Sequence, residues 1–299
     1  MTACLLCSIM HEVQPFFSPE HCHYRLAAID IDDTLVGPDK LVSDANRRAI
    51  SRLRAMGMRV VLASGRTHDN MLPFHRLLGL DDYVVSANGA MVKHADTEEV
   101  LYERSIPHEV AAVVIAEGLR RDMTVFCFGH DGVYVQRVDN WTYGYQLEAN
   151  AIGLQVADLA AEVPEQNLLK ITWATDPERV NSLFKETTSA YADRLQTCIT
   201  SPQYLEFTAP GADKAHGVAA VAVRYGLKPT DVMAFGDGNN DVGMLGWAGL
   251  GVAMRDGRPA AHAAADRVSP PGDPETALAR SIAILLHGRE DHALLAEVA

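Results

Sequence analysis

The chain has 299 residues, of which 48% are hydrophobic and 22% charged, so it can form one large domain or two ordinary ones. Its formal net charge of −13 argues against the basic surface that a nucleic-acid partner requires. No run of residues approaches the ~20 apolar positions that span a bilayer, so we predict no membrane partner either.

Residues 1–23 look unlike the rest of the chain. They contain Cys4, Cys7 and His11, then a His-Cys-His run at 21–23, a set that could ligate zinc but matches no zinc module in its spacing. The apolar start lacks the basic region and cleavage site of a signal peptide. We therefore predict a poorly ordered extension over residues 1–23. The five cysteines of the chain are too scattered for a disulfide framework and indicate a reducing cytoplasm.

The first predicted strand covers Leu26–Ile29, a short apolar run typical of a strand buried on both faces of a parallel sheet. It leads directly into Asp30 and Asp32, whose side chains lie on the same side of an extended backbone. Paired acids at the end of a buried strand are costly unless a cation neutralises them. A hard divalent ion such as Mg²⁺ is suited to that place.

Helices and strands then alternate up to residue 92. A helix is predicted over 43–56 and a buried strand over 59–63, which ends in Ser64, Gly65 and Arg66. A second helix runs to about residue 78, and a third strand over 83–86 leads into Asn88. This order predicts a parallel, doubly wound sheet, whose sites form where strands end.

The pattern changes over residues 93–208. A helix over 106–121 precedes a hairpin of strands 124–128 and 133–137, and an irregular stretch with Trp141, Tyr143 and Tyr145 follows. A strand over 168–173, a helix opened by Asp176-Pro177 and a hairpin over 196–208 complete this segment. Two helix–strand–strand units predict an inserted α+β cap domain. The core domain would then comprise residues 24–92 and 209–299.

The alternating pattern resumes with a helix that starts at Asp213 or Lys214 and ends at residue 225. The strand over 232–235 is followed by a second acidic cluster, which contains Asp237, Asn240 and Asp241. Short strands over 250–253 and 267–269 and a helix through residue 286 close the chain. Asp237 and Asp241 are expected to approach the same cation from the side opposite to Asp30, since four carboxylates would otherwise repel one another.

The order Asp-x-Asp, Ser, Lys, Gly-Asp-x-x-Asn-Asp resembles the four motifs of the haloacid dehalogenase superfamily over residues 25 to about 288. Ser-Gly-Arg after the second strand, Asn-Gly-Ala after the third and Gly-Asp-Gly-x-Asn-Asp in the fourth motif resemble its Cof-type branch. One departure is Asp33, where glycine is frequent in the family.

The resemblance implies a Rossmann-like core with an inserted cap and a role for each motif residue. Asp30 would be the nucleophile and Asp32 the general acid and base. Ser64, Gly65, Lys214 and Asn240 would bind the phosphoryl group, with Arg66 and Asn88 at the substrate entrance. Mg²⁺ would be held by Asp30, the Asp32 backbone carbonyl, Asp237 and Asp241.

We therefore expect a Mg²⁺-dependent phosphatase that acts on a small phosphorylated metabolite, with the cap setting selectivity but taking no part in the chemistry. A phosphomutase on the same core and a non-catalytic regulatory binding protein are the alternatives. The sequence leaves the physiological substrate and the oligomeric state open.

Overall fold

The computed structural model describes residues 23–148, 153–161 and 167–287. The extension over residues 1–22, and with it all but His23 of the zinc hypothesis, lies outside this part of the chain. The elements are, in order, β1 (Leu26–Ile29), α1 (Asp44–Ala55), β2 (Arg59–Leu62), α2 (His68–Leu77), β3 (Tyr83–Ser86), β4 (Met91–His94), β5 (Val100–Glu103), α3 (His108–Arg120), β6 (Thr124–Phe128), β7 (Val133–Val135), α4 (Asn140–Glu148), β8 (Leu154–Val156), β9 (Lys170–Ala174), α5 (Pro177–Tyr191), β10 (Gln196–Ser201), β11 (Tyr204–Thr208), α6 (Lys214–Arg224), β12 (Val232–Gly236), α7 (Val242–Trp247), β13 (Leu250–Ala253), α8 (Pro259–Ala264), β14 (Arg267–Val268) and α9 (Ala277–His287).

The core is a parallel sheet in the order β14-β13-β12-β1-β2, with the completely buried β1 between β12 and β2. Leu26 pairs with Val232 on one side and with Arg59 on the other, so the ends of β1, β2 and β12 lie at one edge of the sheet. Ala63 pairs in parallel with Val85 and brings β3 beside β2. The predicted doubly wound α/β fold is confirmed.

Helices cover both faces of this sheet, as the alternating pattern predicts. Apolar residues of α1 and α9 pack on one face, and those of α6 and α7 pack on the other. Burial of these apolar side chains is the main driving force here, at ~1.5–3 kcal/mol for each large side chain. Within the described ranges, no helix is both long and apolar enough to cross a membrane.

Strands β4 and β5 continue the sheet beyond β3 in antiparallel order. Their pairing places residues 91–103 in the sheet that contains β3. This sheet therefore extends to residue 103, ten residues beyond the predicted start of the insertion at 93. The sequence signal is weak here because the apolar run of β5, Val-Leu-Tyr, is only three residues long and none of its side chains is fully buried.

The inserted segment forms a second sheet in the order β10-β11-β9-β6-β7-β8, antiparallel except for the β7–β8 pair. Both predicted hairpins, β6–β7 and β10–β11, are present. Helices α3 and α5 cover one face of this sheet. The other face is apolar around Phe126 and Phe128, and Tyr145 packs there, with its ring centroid 4.9 Å from that of Phe126.

Helix α4 replaces the irregular stretch that was predicted around Trp141 and Tyr145. The residues form a helix because Asp139 accepts hydrogen bonds from the backbone N–H groups of Trp141 and Thr142 at 3.0 and 3.1 Å. A cap of this kind starts a helix even where Gly144 lowers its intrinsic propensity.

Candidate active site

The site begins at Asp30, the first residue after β1. Its backbone N–H donates to the carbonyl of Phe235 at 3.0 Å, which fixes it at the sheet edge beside β12. Its side-chain Oδ1 accepts from Lys214 Nζ at 2.5 Å, and the same Nζ donates to Asp241 Oδ1 at 2.6 Å. Lys214 starts α6, where the side chain of Asp213 caps the helix, and it is fully buried. Lys214 therefore bridges two carboxylates inside the protein.

Burial and charge act together on these groups. Burial, followed by the neighbouring charge of Asp241, raises the pKa of Asp30 well above its usual value, although Lys214 opposes this. Burial also acts to lower the pKa of Lys214, but the charges of Asp241 and Asp30 outweigh it, and the net effect raises that pKa. Lys214 thus stays protonated at every physiological pH and compensates the charge of Asp30.

The fourth motif forms a tight loop after β12. Asp241 Oδ2 accepts from the backbone N–H groups of Asp237 and Gly238 at 3.0 and 2.8 Å, so both oxygens of Asp241 are occupied. A Cβ at Gly236 would lie 2.4 Å from Asp241 Cγ, so only glycine fits there. Burial and the charges of Asp241 and Asp33 raise the pKa of Asp237 to about 7.

These acids can hold a cation. One carboxylate oxygen from each of Asp30, Asp237 and Asp241 lies within 4.8 Å of the others. Three hard oxygen donors fit Mg²⁺ in kind, and three carboxylates beside the single cation of Lys214 leave negative charge that a divalent ion would balance. The side chain of Asp32 is not a member of this cluster.

Asp32 is paired with Arg66 instead. Arg66 donates from Nε and Nη2 to the two oxygens of Asp32, both at 2.8 Å, while Lys40 Nζ lies 3.4 Å from Oδ1. Burial acts to raise the pKa of Asp32, but the hydrogen bonds and charge of Arg66 outweigh it and hold the pKa below its usual value. Lys40 was not predicted from the sequence. Arg66 was predicted at the substrate entrance, whereas only 6% of its side chain is exposed.

Ser64 follows β2 and is almost completely buried. Its backbone N–H donates to the carbonyl of Val85, and its hydroxyl accepts from the N–H of Arg66 at 3.3 Å. The residue that caps α2 is Thr67, so Ser64 is not a helix cap. Ser64 and Gly65 line the same cavity as Asp30 and Asp32.

Asn88 and Asn240 are joined to each other. Asn240 Nδ2 donates to Asn88 Oδ1 at 2.9 Å, and Asn88 Nδ2 donates to Glu206 Oε2 at 2.5 Å. Asn88 has a φ of 57°, a left-handed conformation that asparagine tolerates better than most residues. It is buried, with 5% of its surface exposed, rather than placed at an open entrance.

The cavity beside these residues has a volume of about 420 Å³ and is lined partly by the inserted segment. That segment contributes Tyr145, Lys170, Tyr204 and Glu206. Tyr143, which the sequence analysis singled out with Trp141, is 61% exposed and is not among the lining residues. Lys170 and Glu206 were missed, although a charged residue within the strand patterns Leu-Leu-Lys-Ile and Tyr-Leu-Glu-Phe signals a polar position on a buried face.

Known proteins share the sequence and the fold of this chain. Residues 27–282 match the haloacid dehalogenase-like hydrolase family. The chain is 28% identical to the HMP-PP phosphatase of Escherichia coli O8 (strain IAI1) over 242 residues, which are 79% of this chain and 85% of that protein.

Solved structures show the same fold. A haloacid dehalogenase-like hydrolase from Bacteroides thetaiotaomicron is 25% identical and superposes with a TM-score of 0.76, covering 87% of this chain and 98% of that one. A haloacid dehalogenase-like hydrolase from B. subtilis gives a TM-score of 0.80 at 22% identity, covering 88% and 100%. The resemblance predicted from the motifs is confirmed. The chain belongs to the haloacid dehalogenase-like hydrolase family.

Proposed function

We propose that this protein is a Mg²⁺-dependent phosphomonoester hydrolase that acts on a small phosphorylated metabolite through an aspartyl-phosphate intermediate. The observation that carries the proposal is the position of Asp30 at the end of β1. Lys214 contacts its carboxylate inside the protein. Asp237 and Ser64 line the same cavity as Asp30. A buried carboxylate held beside a permanent cation is arranged for nucleophilic attack.

Residues that follow three strands, together with Lys214 at the start of α6, would bind the phosphoryl group and its metal ion. Ser64 and the Gly65 backbone follow β2 and line the cavity, and the fully buried Lys214 brings its positive charge to Asp30. Bound Mg²⁺, held by Asp30 and Asp237 with Asp241 supporting the loop, would neutralise the charge of the transferring phosphoryl oxygens. Catalysis of phosphoryl transfer consists mostly of such positioning and charge compensation.

Asp30 forms the new bond to phosphorus as the bond between phosphorus and the leaving oxygen breaks. Lys214 does not compete as an acid, because its pKa is raised by Asp241 and Asp30. Asp32 then gives a proton to the leaving alcohol and later removes one from the water that hydrolyses the aspartyl-phosphate.

Arg66 controls the protonation state of Asp32, and therefore whether Asp32 can act as the acid or as the base. In this structure Arg66 keeps Asp32 ionised, the form required of the base in the second step. For the first step Asp32 must take up a proton, and a dianionic phosphate placed beside it raises its pKa by like-charge repulsion.

The size and polarity of the cavity suit a small polar ester rather than a polymer, and the matched HMP-PP phosphatase is consistent with this class. Within the part of the chain that the structure describes, Cys127 and Cys198 are free thiols, which is compatible with the proposed cytoplasmic location. A phosphomutase would use the same core, and a regulatory binding protein would not need an acid–base residue at Asp32.

The test is a panel of phosphomonoesters with the purified protein, in Mg²⁺ and after metal removal. We expect release of inorganic phosphate that stops on chelation and returns with Mg²⁺. Full turnover by protein shown to be metal-free would overturn the proposal. Transfer of phosphate to a sugar phosphate acceptor, instead of release to water, would favour the phosphomutase.

A further inference from the structure

Lys170 and Glu206 form an ion pair on the face of the cap sheet that is turned toward the core. Lys170 begins β9 and Glu206 lies in the middle of β11, with Nζ 2.7 Å from Oε1. Only 2% and 7% of their side chains are exposed. A buried ion pair is stable only when further hydrogen bonds satisfy the remaining polar atoms of both side chains. The other contacts of Lys170 and Glu206 therefore indicate their role.

Lys170 reaches out of the cap into the core. Its Nζ donates to the carbonyl oxygen of Gly65 at 2.9 Å and lies 4.2 Å from the centroid of the Phe128 ring. Gly65 belongs to the loop after β2 that also contains Ser64. A cap residue therefore fixes the backbone of the loop that is proposed to bind phosphate.

Glu206 acts on a different loop of the same site. Its Oε2 accepts from Asn88, and Asn88 accepts in turn from Asn240. A carboxylate can only accept hydrogen bonds, so Asn88 must turn its amide nitrogen toward Glu206 and its oxygen toward Asn240. Asn240 sits in the turn between Asp237 and Asp241. Glu206 of the cap thus determines how the side-chain amides of Asn88 and Asn240 are oriented.

We propose that Lys170 and Glu206 are positioning residues for phosphoryl transfer, which align the Ser64–Gly65 loop and Asn240 when the cap covers the core. This inference rests on the proposed function. It departs from the expectation that the cap sets selectivity alone: part of the alignment of the catalytic loops comes from two residues of the inserted segment.

The first variant is Glu206→Gln, which keeps the shape but has one acceptor and one donor. The amide oxygen can stay with Lys170, and its nitrogen then faces Asn88. Asn88 must turn over, and two amide nitrogens meet at Asn240. Misplacement of a reacting group by about 1 Å costs up to ~10²-fold in rate, so we expect kcat for p-nitrophenyl phosphate to fall about 10- to 100-fold, with a smaller change in KM.

The second variant, Asn88→Asp combined with Glu206→Gln, exchanges the carboxylate and the amide. The amide introduced at position 206 would accept from Lys170 and donate to the carboxylate introduced at position 88, whose second oxygen accepts from Asn240. The left-handed backbone at position 88 tolerates aspartate as well as asparagine. The double variant keeps the charge and every hydrogen bond, so we expect it to recover most of the lost kcat.

The matched control is Glu117→Gln, which changes another ion-paired cap carboxylate, one that accepts from Arg121 and Tyr191 within the cap. We expect its kcat to stay within about twofold of the wild-type value, since a surface ion pair contributes little. Unchanged kcat in Glu206→Gln, or a double variant no better than the single one, would overturn the positioning role. Thermal unfolding of each variant separates this from loss of fold.

Binding of inorganic phosphate in Mg²⁺, measured by calorimetry, tests the same loops without turnover. We expect weaker binding by Glu206→Gln and recovery in the double variant, which stands as a test by itself if the single variant does not fold. If the wild-type protein hydrolyses no ester but phosphate binding follows this order, the proposed function fails, while the alignment of the phosphate-binding loops by Lys170 and Glu206 is supported. Equal phosphate binding by all variants would refute the positioning role.

Discussion

Asp32→Asn separates the chemistry of the proposed mechanism from the stability of the site. The substitution keeps the size of the side chain and one acceptor for Arg66 but removes the charge and the titratable proton. Arg66 is left with 6% of its side chain exposed and no full counter-charge. Asp30 and Lys214 are unchanged, so the nucleophile remains.

The two expected losses differ in size. Hydrogen bonds to charged groups contribute ~1.5–3 kcal/mol, and since 38% of the Asp32 side chain is exposed, solvent screening reduces the expected loss of stability to about 1–2 kcal/mol. Loss of general acid–base help costs ~10²–10⁴-fold in rate, or about 2.7–5.4 kcal/mol at 1.36 kcal/mol per decade. The barrier should therefore rise by more than the folding free energy falls.

The assay compares two esters. p-Nitrophenol is a good leaving group and needs little protonation, so an alkyl phosphate should lose more rate in the phosphorylation step. Hydrolysis of the intermediate lacks its base, so aspartyl-phosphate on Asp30 should accumulate and be detected by rapid quench and mass spectrometry. Asp44→Asn is the control, because Asp44 is 61% exposed, pairs with Arg47 on the surface and does not line the cavity; we expect nearly wild-type rates. Equal losses for both esters without a trapped intermediate would refute the reasoning.

Three further outcomes are expected. Lys214→Gln leaves Asp30 and Asp241 buried without their cation, so we expect a loss of ~3–5 kcal/mol in the free energy of unfolding, measured in urea without Mg²⁺, and little activity. Because the pKa of Asp237 is raised to about 7, its proton is bound below that pH and lost above it, so Mg²⁺ affinity measured by calorimetry should fall as the pH drops from about 8 to about 6; a flat profile would contradict the shift. Tyr145→Ala should change the preference between esters in a substrate panel, whereas Tyr143→Ala, at a 61% exposed position outside the cavity, should not.

The sequence predicts the parts of the fold that a short buried pattern encodes. Leu26–Ile29 and the apolar residues of β12 are continuous hydrophobic runs, and acids follow both, so the sheet and its acidic edge could be predicted together. β5 could not be predicted, because its apolar run, Val-Leu-Tyr, is only three residues long and ends at Glu103. The roles assigned to Asp30, Lys214 and Asp237 remain predictions that the variants above test.

The contacts between distant segments could not be predicted from the sequence for a different reason. Arg66 is 34 residues from Asp32, and Glu206 is 118 from Asn88, so no local pattern indicates either pair. Alternation marks Lys170 and Glu206 as polar residues on strands, but only the packing of the cap on the core shows that they face the loops around Ser64 and Asn240. The partner of a charged side chain depends on topology, which local periodicity does not contain.

The placement of β1 between β2 and β12 also fixes the order in which the protein can be completed during synthesis. Its partner β12 lies about 200 residues further along the chain, with the whole of the second sheet encoded between them. At ~5–20 residues per second the ribosome needs about 10–40 s to deliver β12 after β1 has emerged. The second sheet is built from a continuous stretch of chain and can form first. During that time the edge of Leu26–Ile29 that later pairs with β12 has no partner strand. A nascent chain stalled before residue 232 would therefore expose its most apolar strand, and this is the stage at which a chaperone would have most to bind.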